Sequence, residues 1–271
     1  MNYLMKLKGL VVFVLMMLTS CKSDKSVDAV TSIDYANEEL DVTTSTYPET
    51  MTKVFDAHGG IDAWNQMKSL SFSMEKPDGV EVTTTNLKTR AERIDSPSYS
   101  MGFDGETLWV NEKTGKAYNG NARFYKGLYM YFYAMPFIFG DDGIIYEEAK
   151  PLVFEGKSYP GILISYETGI GESSHDQYIV YYDAESGQMA WLGYTVTFGK
   201  EEKSKDFHFI KYSQWQTVNG VVLPKRLDWY NYENNLPTEK RNSVEFINVV
   251  VSETAPDSSL FTMIEGARVI E

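Results

Sequence analysis

The sequence predicts a mainly β (α+β) domain: a long antiparallel meander with short helices at its start and an aromatic helix near its middle. Three observations carry this. From Ser69 onward the chain falls into about a dozen segments of period-two alternation, most of them separated by tight-turn residues. No helical pattern between them is long enough for a parallel crossover. An aromatic share of 14%, with 19 Tyr, 14 Phe and 5 Trp, favours strands around a wide apolar interior.

The first element is not part of that domain. Lys6 and Lys8 precede an apolar run, Leu10 to Leu18, and Leu18-Thr19-Ser20-Cys21 has the Leu-small-small-Cys form of a bacterial lipoprotein cleavage site. Residues 1–20 are therefore read as a signal peptide, and Cys21, the sole cysteine, as the lipidated first residue of the mature chain. The apolar run is too short for a transmembrane helix, which needs ~20 residues. Two or three acyl chains give stable anchoring where one is marginal. Lys22-Ser23-Asp24 places no Asp second in the mature chain, the signal for inner-membrane retention, so the outer membrane is expected. With Cys21 acylated, no thiol remains for a disulfide, a metal or a nucleophile.

Residues 21–46 are polar and Ser/Thr-rich, and read as a flexible tether spanning ~25–30 Å. The formal charge of −13 becomes two units more negative when Lys6 and Lys8 leave with the signal. Such a surface repels nucleic acid and anionic lipid heads, so the expected membrane contact is the lipid anchor and no nucleic-acid partner is expected.

Thr46-Tyr47-Pro48-Glu49 has the residues of a helix start, with Thr46 as cap, and Met51, Val54, Phe55 and His58 recur at helical spacing until Gly59-Gly60. A short helix over 61–67 carries Trp64. Strands are expected at 70–76, 80–87, 89–95, 99–103 and 107–111, and again at 152–154, 158–166, 177–183, 189–198, 206–218, 222–232 and 243–252. Pro77-Asp78-Gly79, Asp104-Gly105, Glu155-Gly156 and Asn219-Gly220 are turns, the last a strong hairpin signal. In Leu192 to Phe198 apolar residues alternate with small or polar ones, which predicts one buried and one wet sheet face. Between the two runs of strands, Phe124, Leu128, Phe132, Met135 and Phe139 form one helical stripe flanked by Tyr125, Tyr129 and Tyr133. A helix over about 124–135, ended by Pro136, is expected, buried on more than one side. With no linker after residue 47, residues 47–271 are read as a single domain.

His58-Gly59-Gly60-Ile61-Asp62-Ala63-Trp64 with Ser69-Leu70-Ser71-Phe72, Val218 to Pro224, and Asp257-Ser258-Ser259-Leu260-Phe261 resemble landmarks of an uncharacterised Bacteroidota lipoprotein family. That family is similar in layout to the LolA/LolB-like superfamily of lipoprotein-sorting, half-barrel lipid carriers. The resemblance covers about residues 47–262. It implies a long antiparallel sheet curled into an open half-barrel, with N-terminal helices and the aromatic helix over its concave face. It transfers no catalytic residue.

The remaining candidates for chemistry read as structure. His58 before Gly59-Gly60 suits a cap on the last helix carbonyls. The strand pattern places His175 opposite Val196 and Val196 opposite His208, which sets the histidines ~9.5 Å apart on one face. Ligands of one zinc have donor atoms within ~3.5 Å of each other, so no metal is expected. Asp104-Gly105 and Asp141-Asp142-Gly143 lack the oxygen spacing of a calcium loop. Ser173-Ser174-His175 lacks the Gly-x-Ser-x-Gly context of a hydrolase, and no phosphate-cradling or dinucleotide motif is present. Neither a catalytic residue nor a cofactor is expected. What remains is an apolar pocket between the aromatic helix and the sheet, lined by Phe124, Leu128, Phe132, Met135, Phe137, Phe139, Trp191 and Trp215. Such a pocket suits a lipid or acyl chain, carried without catalysis. The alternative is an envelope module gripping glycans or a partner lipoprotein through exposed Tyr and Trp.

Overall fold

The computed structural model describes residues 46–167, 175–198 and 204–271. The expected signal peptide, Cys21, the tether to residue 45, and Ser173 and Ser174 lie outside the described residues.

Helix α1 (Glu49–Ala57) buries Met51, Val54 and Phe55 at the spacing that predicted it. Its cap residue is Pro48, not Thr46, and no side chain caps the first turn. The chain leaves α1 through Gly59 and Gly60, both at positive φ (97° and 92°). A Cβ on Gly59 would stand 2.3 Å from the Gly220 carbonyl oxygen, so this close seat on a distant hairpin admits only glycine. Helix α2 (Ile61–Gln66) follows and buries Trp64.

Five strands come next: β1 (Ser69–Lys76), β2 (Gly79–Asn86), β3 (Glu92–Asp95), β4 (Tyr99–Phe103) and β5 (Leu108–Glu112). The aromatic segment interrupts them. Strands then resume as β6 (Ile144–Phe154), β7 (Lys157–Tyr166), β8 (Tyr178–Tyr182), β9 (Met189–Tyr194), β10 (His208–Val218), β11 (Val221–Glu233), β12 (Leu236–Glu245) and β13 (Ile247–Ser252), with β14 (Arg268–Val269) last. Turn residues behave as their chemistry requires. Asn219 and Gly220 take φ of 47° and 85° and close the β10–β11 hairpin with Val218 opposite Val221. Asp104 Oδ1 accepts from the Glu106 and Thr107 amides, an Asx turn.

The antiparallel meander is present, divided into two seven-stranded sheets of order β13-β1-β2-β3-β4-β5-β14 and β12-β11-β10-β9-β8-β7-β6. Neither closes into a barrel. They meet where β12 runs into β13: the same stretch of chain pairs first with β11 and then with β1, and only the buried Phe246 lies between.

Three expectations are corrected. The helix over 124–135 is broken into α3 (Ala122–Tyr125) and α4 (Leu128–Tyr133), because Gly127 adopts the left-handed conformation (φ 76°) between them. A 3-10 turn at Phe137–Gly140 follows Pro136. Strand β6 begins eight residues earlier than its expected 152–154 segment, at Ile144, and β9 stops at Tyr194, short of Phe198.

The second sheet also lacks a wet face at β9. Leu192 packs into the main core with the helices, while its neighbour Trp191 points the other way into a separate cluster with Leu152, Tyr159, Tyr181 and Phe209. Phe154 and Tyr230 press on the Trp191 ring at 4.7 and 4.8 Å, and the Lys211 ammonium sits 5.3 Å above it. An aromatic nest thus covers the face opposite the helices.

Candidate ligand-binding pocket

A pocket of about 600 Å³ lies between the aromatic segment and the helix-bearing face of the second sheet. One wall is α3 and α4, supplying Phe124, Leu128, Tyr129 and Phe132, with Met135 and Ile138 beyond them. The facing wall is Tyr166, Tyr178, Tyr194 and Trp229 from β7, β8, β9 and β11. Register explains the second wall: Tyr178 pairs directly with Tyr194, so their rings share one face. Phe132 stands between the walls, edge-on to Tyr194 at 5.0 Å and to Trp229 at 6.1 Å. At the rim Phe124 meets Phe198 at 5.6 Å.

Helix α4 is too short to hold itself in place, and buried side chains from both sheets fix its ends. At the start, the Gly127 amide donates to Glu92 Oε2 on β3 (2.7 Å), and the Thr85 hydroxyl donates to Glu92 Oε1 (3.3 Å). At the far end, the Tyr212 hydroxyl of β10 donates to the Phe132 carbonyl (2.7 Å). A second buried carboxylate, Glu81 on β2, accepts from Tyr125 of α3 (2.7 Å) and from Tyr99 (2.6 Å). Lys76 lies 3.7 Å from that carboxylate and 4.2 Å above the Tyr129 ring. Burial pushes the Glu92 carboxyl up to about 7, against the Gly127 and Thr85 hydrogen bonds that favour its charged form. Burial also raises the Tyr178 and Tyr212 phenols well above their usual range, so both are neutral hydroxyls.

Tyr212→Phe removes one of these pins and leaves the Phe132 carbonyl unpaired in the core. A loss of about 1–3 kcal/mol is expected from urea unfolding.

Of the eight side chains expected to line a pocket, Phe124, Leu128, Phe132 and Met135 do so. Phe137 and Phe139 are buried core instead: Phe137 stacks on Trp64 at 4.8 Å, and Phe139 packs against Tyr178. Trp215 packs on His58 at 4.4 Å, and Trp191 lies on the opposite sheet face. The tyrosine wall and Trp229 were not among the expected residues.

His58 does not cap helix carbonyls with its ring; it bridges strands β9 and β11. The histidine register also differs from expectation, since His208 and Tyr178 both pair with Tyr194. Among the described residues, no three His, Asp, Glu or Cys side chains are grouped to hold a metal.

No family model and no curated protein sequence matches this chain. Solved structures similar to it include a DUF1329 family protein from Desulfovibrio piger, with 9% identity, a TM-score of 0.45, and coverage of 79% of this chain and 98% of that one. Another is a LolA superfamily protein from Nitrosomonas europaea, with 11% identity, a TM-score of 0.43, and 79% and 96% coverage. A third is the lipoprotein LppX from Mycobacterium tuberculosis, at 12% identity, a TM-score of 0.25, and 55% and 88% coverage.

Proposed function

We propose that this chain is a lipid-anchored protein of the bacterial envelope, acylated at Cys21 and resident at the outer membrane. In this reading it binds a hydrophobic ligand, a lipid or acyl chain, in the pocket beneath α3 and α4 and carries out no reaction on it. The observation that supports this is the pocket itself. Its volume of about 600 Å³ falls within the ~300–1,000 Å³ of small-molecule sites, and its walls are mostly aromatic and aliphatic. Because Glu92 and Tyr212 hold α4 from both ends, the hollow is pre-formed, which limits the ordering cost of binding. Burying a ten-carbon chain at ~0.8 kcal/mol per methylene gives ~8 kcal/mol before such costs, enough for reversible carriage.

The alternative, a surface gripping glycans or a partner lipoprotein through exposed Tyr and Trp, has no exposed Trp among the five to draw on and would rest on exposed Tyr131 and Tyr232.

Gentle purification, solvent extraction and mass spectrometry test the proposal. A co-purifying lipid is expected from the unaltered protein. Leu128→Trp, which adds bulk to the pocket wall, is expected to lower its recovery about tenfold. The reading fails if the unaltered protein yields no lipid and takes up none when lipid is supplied.

A further inference from the structure

The polar end of such a ligand is set by the charges at the pocket. Six Arg, Lys and Asp side chains line it: Arg123, Lys126, Arg241, Asp141, Asp142 and Asp176. The carboxylates are mostly committed. Arg90 donates to both oxygens of Asp141 at 2.8 and 2.6 Å. Asp176 is buried, and its Oδ1 accepts from the Thr197 amide (2.7 Å) and hydroxyl (2.8 Å). Two of the cations are not committed. Among the described residues, neither Arg123 nor Arg241 has a carboxylate at ion-pair distance, and Arg241 Nε donates only to the Asn242 side-chain oxygen at 3.2 Å. Both arginines are exposed, whereas Phe132, Met135 and Ile138 are buried. The pocket therefore has an apolar depth and a guanidinium mouth, on a chain with 38 acidic and 25 basic residues. A guanidinium presents a planar fork of donors that matches carboxylate and phosphate oxygens.

We propose that the pocket takes a single-chain amphiphile with an anionic head, the tail lying against Phe132, Met135 and Ile138 and the head between Arg123 and Arg241. This rests on the pocket reading above and deepens it. The head is drawn by charge-assisted hydrogen bonds, and the tail contributes most of the binding through burial.

Calorimetric titration of the purified protein at pH 8 with decanoate, 1-decanol and decyltrimethylammonium, each below its micelle concentration, separates head from tail. Decanoate is expected to bind about tenfold or more tighter than decanol, with the cationic ligand weakest. In the Arg123→Gln/Arg241→Gln double variant, with its melting temperature checked, the decanoate advantage is expected to fall below about threefold while decanol binding is unchanged. Equal binding of all three ligands, or a preference for the cationic one, overturns the head-group inference and leaves the pocket standing. A decanoate advantage that survives both substitutions overturns the assignment to these arginines. Binding of none of the three removes the pocket reading itself, and this inference with it.

Discussion

Replacing His58 with Ala is expected to lower the unfolding free energy by about 3–5 kcal/mol and the melting temperature by about 10 °C. His58 follows the last turn of α1, and it is fully buried. Its Nδ1–H donates to the Val222 carbonyl on β11 at 3.0 Å, and its Nε2 accepts from the Met189 amide on β9 at 3.1 Å. The Val222 amide in turn donates to the His58 carbonyl at 2.8 Å. One neutral tautomer satisfies all of this, and protonating Nε2 would set two donors against each other. Alanine leaves a buried donor and a buried acceptor without partners and opens a hole beside Trp215. His58→Phe is the control: it restores the bulk without either hydrogen bond, and is expected to recover only the packing part. A loss below about 1 kcal/mol for His58→Ala in denaturant unfolding would sink this account.

The same burial ties His58 to pH. Its imidazole is pushed down from 6.5 to about 4, with desolvation as the main cause. In that interval the unfolded chain binds a proton that the folded one refuses. The contribution of His58 is complete above pH 6.5 and drains away as pH falls towards 4, by about 1.4 kcal/mol per pH unit.

Glu92→Gln is expected to do the reverse of most core substitutions and stabilise the protein above neutral pH, by about 3 kcal/mol at pH 8. The Glu92 carboxyl is raised from 4.5 to about 7, so the folded state keeps a proton that the unfolded chain has already lost. Its favourable contribution is complete below pH 4.5, falls as pH rises, and is exhausted above about 7. Glutamine keeps an oxygen for the Gly127 amide and carries no charge into the interior. Facing Glu92 are the Glu81 carboxylate, which opposes its ionisation, and the Lys126 ammonium, which favours it. Between pH 4.5 and 6.5 the slopes from His58 and Glu92 run in opposite directions. Subtracting the wild-type stability curve from that of Glu92→Gln therefore gives a difference that grows from near zero at pH 4.5 to its plateau above about 7. A flat difference would mean that Glu92 ionises as freely in the fold as in the unfolded chain.

How much of this was legible depends on where each signal resides. The hairpin at Asn219-Gly220 and the turn at Asp104-Gly105 are local chemistry and were read correctly, as was the burial stripe of α1. The early start of β6 was hidden because Ile144 to Pro151 mixes exposed charges with a proline, as an edge strand does. The break at Gly127 was hidden because the apolar stripe runs straight through it. Gly127 turns left-handed there, and its amide is held by a partner thirty-five positions upstream, Glu92, which no local pattern reveals. The half of the pocket on the segment 124–135 was read from one helical stripe. The other half, Tyr166, Tyr178, Tyr194 and Trp229, comes from four strands whose shared face depends on register, and the register expected for the histidines was itself one residue out between β8 and β9 and two residues out between β9 and β10. Trp191 and Leu192 were ambiguous for another reason: both are apolar, so alternation could not say which one met the helices.

The passage of β12 into β13 bears on how the molecule comes apart. A strand that changes allegiance at Phe246 ties together two arrays whose inner faces are one apolar core, so parting them would expose Leu70 and Phe72 of the first along with Ile210 and Leu227 of the second. Calorimetry will accordingly register one cooperative melting event for residues 46–271, with matching calorimetric and van't Hoff enthalpies, in place of two stepwise transitions.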